Sequence, residues 1–177
     1  MTHPHKSYSP RCRRGFTVIE TVIYTAVLAI VAGIVVEILV GMTRASARVQ
    51  LARRINHSAE ISLERLTREI RNAQSVNTSN SVFNTHPGRL FLNTLDSSGT
   101  PTTMDFTLSS NTLRITEGGS SVSDLTPKRI EVTGLVFRPF NTVVSQGVKV
   151  ELELSALQGT ATRTEMFYTS AVLRRSY

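Results

Sequence analysis

Hydrophobic and polar positions change character three times along the chain. An apolar run extends from Phe16 to Met42, with Glu20 and Glu37 as its charged residues. A helix from Phe16 to Val36, at ~1.5 Å per residue, has about the length of the ~30 Å hydrocarbon core of a bilayer. The pattern therefore predicts a single membrane-crossing helix near the start of the chain.

After Met42 the apolar run gives way to an amphipathic pattern. Apolar residues recur at spacings of three and four, which places them on one stripe of a helix. We expect two i,i+4 ion pairs on this stretch, Glu64–Arg68 and Arg65–Glu69. The sequence predicts one helix from about Phe16 to about Ala73, ended by Asn72, Asn77, Asn80 and several serines. The stripe consists of Leu51, Ile55, Ala59, Leu63, Leu66, Ile70 and Ala73.

Beyond the predicted helix, apolar and polar residues alternate with the period of two that is typical of strands. The clearest strand is Val148 to Leu154, and Met166 to Val172 predicts the last one. Ser109 to Thr112 reads as the turn of a hairpin. Further strands are predicted at Leu90–Leu95 and Ile130–Phe137, with loops at Gly118–Ser121 and Gln158–Thr160.

These elements predict an α+β fold in which one long N-terminal helix packs on an antiparallel sheet of five to seven strands. Four regions follow from the pattern. Residues 1–15 form a leader, 16–42 the membrane half of the helix, 43–76 its amphipathic half, and 77–177 a β-rich globular domain.

Charge is distributed unevenly. The formal net charge is +7, and basic residues concentrate in the first fourteen positions and between Arg44 and Arg71, whereas bases and acids nearly balance after Asn72. The clustered arginines fit a solvated or subunit-facing helix surface. A nucleic-acid-binding face is the alternative, although no aromatic residue interleaves with the bases between Tyr24 and Phe83.

The apolar segment admits a second interpretation, a secretory signal peptide. Basic residues precede it, and Ala45-Ser46-Ala47 has the small-x-small pattern of a cleavage site. Against this, the run exceeds the ~7–15 residues of a typical signal-peptide core, and Glu20 falls where that core would begin.

Glu20 is the residue that the anchor interpretation alone leaves unexplained. A carboxylate at membrane depth costs on the order of 2.5–3.5 kcal/mol and normally has a partner. The anchor contains no base, so the partner must come from a terminus or another chain. A cut after Gly15 would create a positive amine on Phe16, and Glu20 would pair with that amine on a neighbouring subunit.

These residues carry a family resemblance. Basic residues, then Gly15-Phe16-Thr17-Val18-Ile19-Glu20, then an apolar stretch, resemble the processing signal of type IV pilins and type II secretion pseudopilins. The resemblance implies that an aspartyl prepilin peptidase of the bacterial inner membrane cuts after Gly15 and methylates the amine of Phe16. It also implies that Glu20 is the assembly carboxylate.

The resemblance further implies a structural subunit of a pilus or protein-secretion filament. Its partners would be other pilin or pseudopilin subunits, the inner-membrane assembly platform and, before assembly, membrane lipid. The protein would cross the inner membrane once, with its C-terminal domain outside the cytoplasm. The anchor lacks proline, and Tyr168 to Arg174 resembles the closing strand of minor pseudopilins; both favour a minor subunit.

No catalytic or metal-binding pattern accompanies these features. The single cysteine, Cys12, excludes a disulfide within the chain. His57 and Glu60 lack a third ligand, and His86 precedes a Pro-Gly turn. Asp96 and Asp105 lie in or near loops without a dense acidic run. We therefore expect no enzyme activity, cofactor or metal. A membrane-anchored or secreted binding domain with no filament role is the alternative function.

Overall fold

The computed structural model describes residues 15–141, 145–159 and 161–174. The predicted leader lies outside the described residues except for Gly15. One helix, α1, extends over Val18–Asn72 and is followed by eight strands in the described part of the chain. They are β1 (Ser75–Val76), β2 (Leu90–Leu95), β3 (Pro101–Ser109), β4 (Thr112–Glu117), β5 (Ser121–Asp124), β6 (Ile130–Asn141), β7 (Gln146–Gln158) and β8 (Ala161–Val172).

The chain divides into two compact units between Arg44 and Ala45. The first unit contains the apolar part of α1, and the second contains the remainder of α1 with all eight strands. The predicted single helix is thereby confirmed, and its end at Asn72 coincides with the predicted run of asparagines and serines.

The amphipathic stripe of α1 is the helical face of the core. Six of its seven residues are buried, and Leu63 is partly buried against the same cluster. Ser62 also lies on this face, where its hydroxyl donates to the carbonyl of Leu125 at 3.2 Å. The predicted α+β packing of a long helix against antiparallel strands is confirmed.

The strands form two antiparallel sheets rather than the single sheet that was predicted. One has the order β1-β2-β3-β4-β5, and the other has the order β6-β7-β8. The predicted count of five to seven was also too low. The strands missed are β1 and β5, which are short, contain mostly polar residues and bury none of them. Without a buried apolar face, such strands leave no period-two signal in the sequence.

The predicted hairpin at Ser109–Thr112 is confirmed. Ser109 pairs with Thr112, and Ser110 and Asn111 both have positive φ, the geometry of a two-residue turn that matches strand twist. Gly118 and Gly119 likewise turn the chain with positive φ, but Ser121 belongs to β5 and not to the predicted loop.

Three hydrogen bonds from the segment between β1 and β2 cover part of the free edge of β6. The amide of Asn84 donates to the carbonyl of Phe137, and the amide of Gly88 donates to that of Leu135. The ring nitrogen Nδ1 of His86 accepts from the amide of Leu135 at 3.0 Å. The turn predicted at His86 therefore supports the sheet, since an uncovered strand edge invites pairing with other chains.

Candidate processing and assembly segment

Helix α1 begins with a capping pattern that fixes the positions of the candidate residues. The Thr17 hydroxyl accepts from the amide of Glu20 at 3.3 Å, and the Thr17 carbonyl accepts from the amide of Thr21 at 3.2 Å. Thr17 is therefore the N-cap, and Glu20 is the third helical residue, the spacing of a capping box. A carboxylate in the first turn also interacts favourably with the helix dipole.

Glu20 has a neutral partner in its own chain. Its Oε1 accepts from the Tyr24 hydroxyl at 3.1 Å, one turn further along the helix. The Tyr24 ring in turn meets the Phe16 ring edge to face, with 6.5 Å between centroids. Within the described residues, Glu20 forms no ion pair. The Tyr24 contact satisfies one lone pair and leaves the negative charge uncompensated.

Gly15 lies outside the helix, three residues before α1 begins at Val18. It is exposed, and a Cβ built at this position has no atom within 4 Å. The Gly15–Phe16 peptide bond is therefore sterically accessible from outside. The alternative cleavage site at Ala45-Ser46-Ala47, in contrast, lies within helical backbone, which must unwind before it can enter a protease cleft.

The apolar half of α1 has no covering partner in the described structure. The large apolar side chains from Phe16 to Met42 are between 42 % and 83 % exposed. This helix is long and apolar enough to cross a membrane. A continuous apolar surface of this extent is unfavourable in contact with water, so lipid or other helices are required to cover it.

The remaining candidate residues do not converge on a site. His57 and Glu60 are exposed on α1, and His86 serves the β6 edge. Asp105 forms a bidentate ion pair with Arg89. The Nε and Nη2 atoms of Arg89 donate to its Oδ1 and Oδ2 atoms at 2.9 and 2.6 Å. Among the described residues, no group of three His, Cys, Asp or Glu side chains is arranged to hold a metal.

Asp96 lies in the turn between β2 and β3, where it orders the backbone. Its Oδ1 accepts from the Ser98 hydroxyl at 2.6 Å and from the amides of Ser98 and Thr100. The hydrogen bond from the Ser98 side chain, followed by that from the Thr100 backbone, lowers the pKa of Asp96. Asp96 is therefore a turn residue whose Oδ1 atom is already engaged.

Two arginines in the second half of α1, Arg65 and Arg68, lie close to the carboxylate of Glu69. Arg65 pairs with Glu69 at 3.0 Å, as predicted. The predicted Glu64–Arg68 pair does not form; the Arg68 guanidinium lies 3.9 Å from Glu69 instead. Glu69 is largely buried, so its carboxylate is the fixed point to which both guanidiniums turn.

Sequence reasoning missed two residues of the candidate segment. Thr17 and Tyr24 were treated as ordinary members of the apolar run, although both contact Glu20. The Thr-x-x-Glu spacing and the i,i+4 spacing of Glu20 and Tyr24 were the available signals.

No protein-family model, curated protein or solved structure matches this chain. The structure itself defines a class: a chain with one helix long and apolar enough to cross a membrane, which continues into an α+β unit with two antiparallel sheets. Within that class, the Gly15–Glu20 segment carries the functional interpretation.

Proposed function

We propose that this chain is a structural subunit, of minor rank, in a filament of the type IV pilus or type II secretion kind. A single observation carries the proposal. The Gly15-Phe16-Thr17-Val18-Ile19-Glu20 segment leads into the first turn of α1, and the large apolar side chains of this helix are exposed from Val18 to Met42. The prepilin-type resemblance of this segment assigns the cut to the Gly15–Phe16 bond and the methyl group to the Phe16 amine.

The charge on Glu20 supports this assignment. Its partner within the chain is a phenol, which donates a hydrogen bond but supplies no positive charge. Cleavage after Gly15 generates a cation on Phe16, which lies four residues before Glu20. Pairing between the carboxylate of one subunit and the amine of the next would offset desolvation and set the axial stagger between adjacent helices.

The exposed apolar helix supports two successive environments. Before assembly, lipid of the inner membrane would surround the segment from Phe16 to Met42, with the leader inside and the α+β unit outside the cytoplasm. After extraction by the assembly platform, the same surface would pack against helices of other subunits. Both environments remove the apolar side chains from water. The free energy gained by this burial is larger than the contribution of the single charge pair at Glu20.

Intact-mass analysis of the membrane-extracted protein tests the proposal. The mature chain should lack residues 1–15 and carry one additional methyl group. Cells without prepilin peptidase are the control, and they should retain the full-length, unmethylated chain. A mature chain that starts at Arg48, after Ala45-Ser46-Ala47, would contradict the proposal and identify a secreted domain cut by signal peptidase. Full-length protein in peptidase-positive cells would identify a simple membrane-anchored domain.

A further inference from the structure

A second carboxylate, Glu37, lies near the end of the apolar run and has no charged partner. The nearest base in sequence is Arg44, seven residues further along α1, since no base occurs between Phe16 and Thr43. Both side chains are exposed, and neither forms an ion pair or a side-chain hydrogen bond in the described part of the chain. The proposed pairing of Glu20 with the Phe16 amine assigns no role to Glu37 or Arg44.

Glu37 and Arg44 lie on the same side of α1. Seven residues correspond to about two helical turns, so the two positions differ by only ~20° around the helix axis and by ~10.5 Å along it. Opposite charges within one helix pair at spacings of three or four residues, and this spacing is about twice as long. The two charges therefore share a face of the helix without pairing within their own chain.

A second subunit supplies the missing partner of each residue. If a parallel helix is displaced by two turns toward its C-terminal end, its Glu37 lies level with Arg44 of the first subunit. The pairing of Glu20 with the Phe16 amine requires a displacement in the same direction. That amine lies four residues before Glu20 and outside α1, which corresponds to about 6–10 Å along the axis. One displacement of about 10 Å therefore suits both charge pairs.

The spacings also place both pairs on one seam between two helices. Phe16 and Glu37 are 21 residues apart, which is three heptads, and Glu20 and Arg44 are 24 apart, which is three heptads plus three. These spacings keep a and d positions facing one partner when parallel helices wind around each other. Gly41 lies between Glu37 and Arg44, and a Cβ built there meets no atom within 4 Å. A residue without a side chain lets two helices approach closely at this point.

We propose that Glu37 of one subunit pairs with Arg44 of an adjacent subunit displaced by two turns. This pairing rests on the proposed filament function and adds a second charge contact to it. Each subunit would use Glu20 and Arg44 toward one neighbour, and the Phe16 amine and Glu37 toward the other. A neighbour without displacement would place Glu37 beside Glu37 and Arg44 beside Arg44, so repulsion between like charges would reject that register.

Charge reversal in filaments tests the pairing, with filament yield normalised to the membrane pool and cleavage scored by intact mass. Glu37→Arg and Arg44→Glu each place like charges opposite each other and should lower the yield at least about ten-fold. The combined variant Glu37→Arg/Arg44→Glu restores opposite charges and should recover most of the yield. Glu37→Arg/Arg48→Glu is the matched control. Arg48 is the next base along α1, and its pairing with residue 37 would require a displacement of about three turns, so this variant should not recover.

Disulfide crosslinking tests the same contact without relying on charge reversal. Glu37→Cys/Arg44→Cys is made in a Cys12→Ser background, so that the two introduced cysteines are the only ones in the chain. The two positions are ~10.5 Å apart within one helix, beyond the ~7 Å between Cα atoms that a disulfide spans. Any disulfide therefore joins two subunits, and oxidised filaments should give a ladder of covalent multimers. The Glu37→Cys/Arg48→Cys control should give no ladder.

Three results would overturn the pairing. The first is a double reversal that recovers no more yield than either single variant. The second is equal recovery by the Arg48 control, which would show attraction without a fixed register. The third is the absence of a ladder from filaments of Glu37→Cys/Arg44→Cys. Filaments built from chains cut after Gly15 would keep the proposed function even if the pairing fails, whereas uncut chains without filaments would contradict both.

Discussion

Glu20→Gln tests the central electrostatic claim with the least structural disturbance. The amide is close in shape to the carboxylate. It also retains an oxygen that can accept the hydrogen bond from the Tyr24 hydroxyl, which is 3.1 Å long in the wild-type chain. The backbone bond from residue 20 to the Thr17 hydroxyl is also retained, since it uses the main-chain amide. The substitution therefore removes the charge while the start of α1 keeps its hydrogen bonds.

The two roles of Glu20 predict different magnitudes. As a first-turn carboxylate, it stabilises the helix dipole by about 0.3–1 kcal/mol. As the partner of an amine about 4 Å away on the next subunit, it contributes about 4 kcal/mol at an effective dielectric constant of ~20. Loss of one member of a desolvated pair costs about 3–5 kcal/mol because the other charge is left unpaired. We therefore expect at least a ~100-fold weaker subunit contact for Glu20→Gln, and no detectable filaments.

The assay measures sheared filaments and the membrane pool of the same cells by quantitative immunoblot, with cleavage scored by intact mass. Glu37→Gln is the matched comparison, because Glu37 is the other carboxylate of the apolar run, and it should lower the yield by only about five-fold. Tyr24→Phe removes the competing hydrogen bond within the chain and should leave filament yield intact. Filaments of Glu20→Gln at the wild-type amount would refute the pairing and leave Glu20 as a first-turn acid that interacts only with the helix dipole and Tyr24.

Four further predictions concern processing and stability. Gly15→Leu should block cleavage, which intact mass tests. It should leave the melting temperature unchanged, because a Cβ at this position meets no atom within 4 Å. Gly88→Ala should destabilise the fold by about 1–3 kcal/mol, since its Cβ would lie 2.9 Å from the Leu135 carbonyl oxygen. Gly33→Ala, in open helix, is its control and should show no loss in denaturant unfolding. Leu66→Ala should cost about 2–5 kcal/mol because Leu66 is fully buried, whereas exposed Leu157→Ala should change little. Asp96 has a lowered pKa in the fold, so its stabilising effect is present above the unfolded value and is lost as pH falls through the folded one; Asp96→Asn should flatten the fall in melting temperature between about pH 5 and pH 2.

The helix was predictable because its signals are local. An apolar run and a stripe at spacings of three and four predict α1 within about two residues at each end. The alternation from Val148 to Leu154 similarly predicts β7, whose apolar residues in that stretch are all buried. Each signal depends on residues that are neighbours in sequence and share one environment.

The division into two sheets depends on pairings that sequence periodicity does not encode. Alternation identifies a strand but not its neighbour, and β5 and β6 are consecutive yet belong to different sheets. The alternating set of β8 also has an unexpected orientation. Met166 and Tyr168 face outward, at 52 % and 58 % exposure, while Phe167 is packed against the core and Ala171 is buried in it. Apolar residues that alternate along a strand give a period of two whether they face the core or the outside. The sequence alone therefore does not show which face of β8 packs against the core.

Glu20 is the residue at which local structure and proposed function meet. The helix dipole explains why an acid is favoured in the first turn of α1, but it explains neither Gly15 nor the exposed apolar helix. Cleavage after Gly15 would place a cation on Phe16, two residues before α1 begins, where the helix dipole is itself positive. The dipole therefore disfavours the amine that processing creates, and a carboxylate must compensate it. The Thr17 cap fixes Glu20 in the first turn, so each processed chain would present one amine and one acid close together. Adjacent helices with this arrangement would be held in register by charges that arise only after the cut.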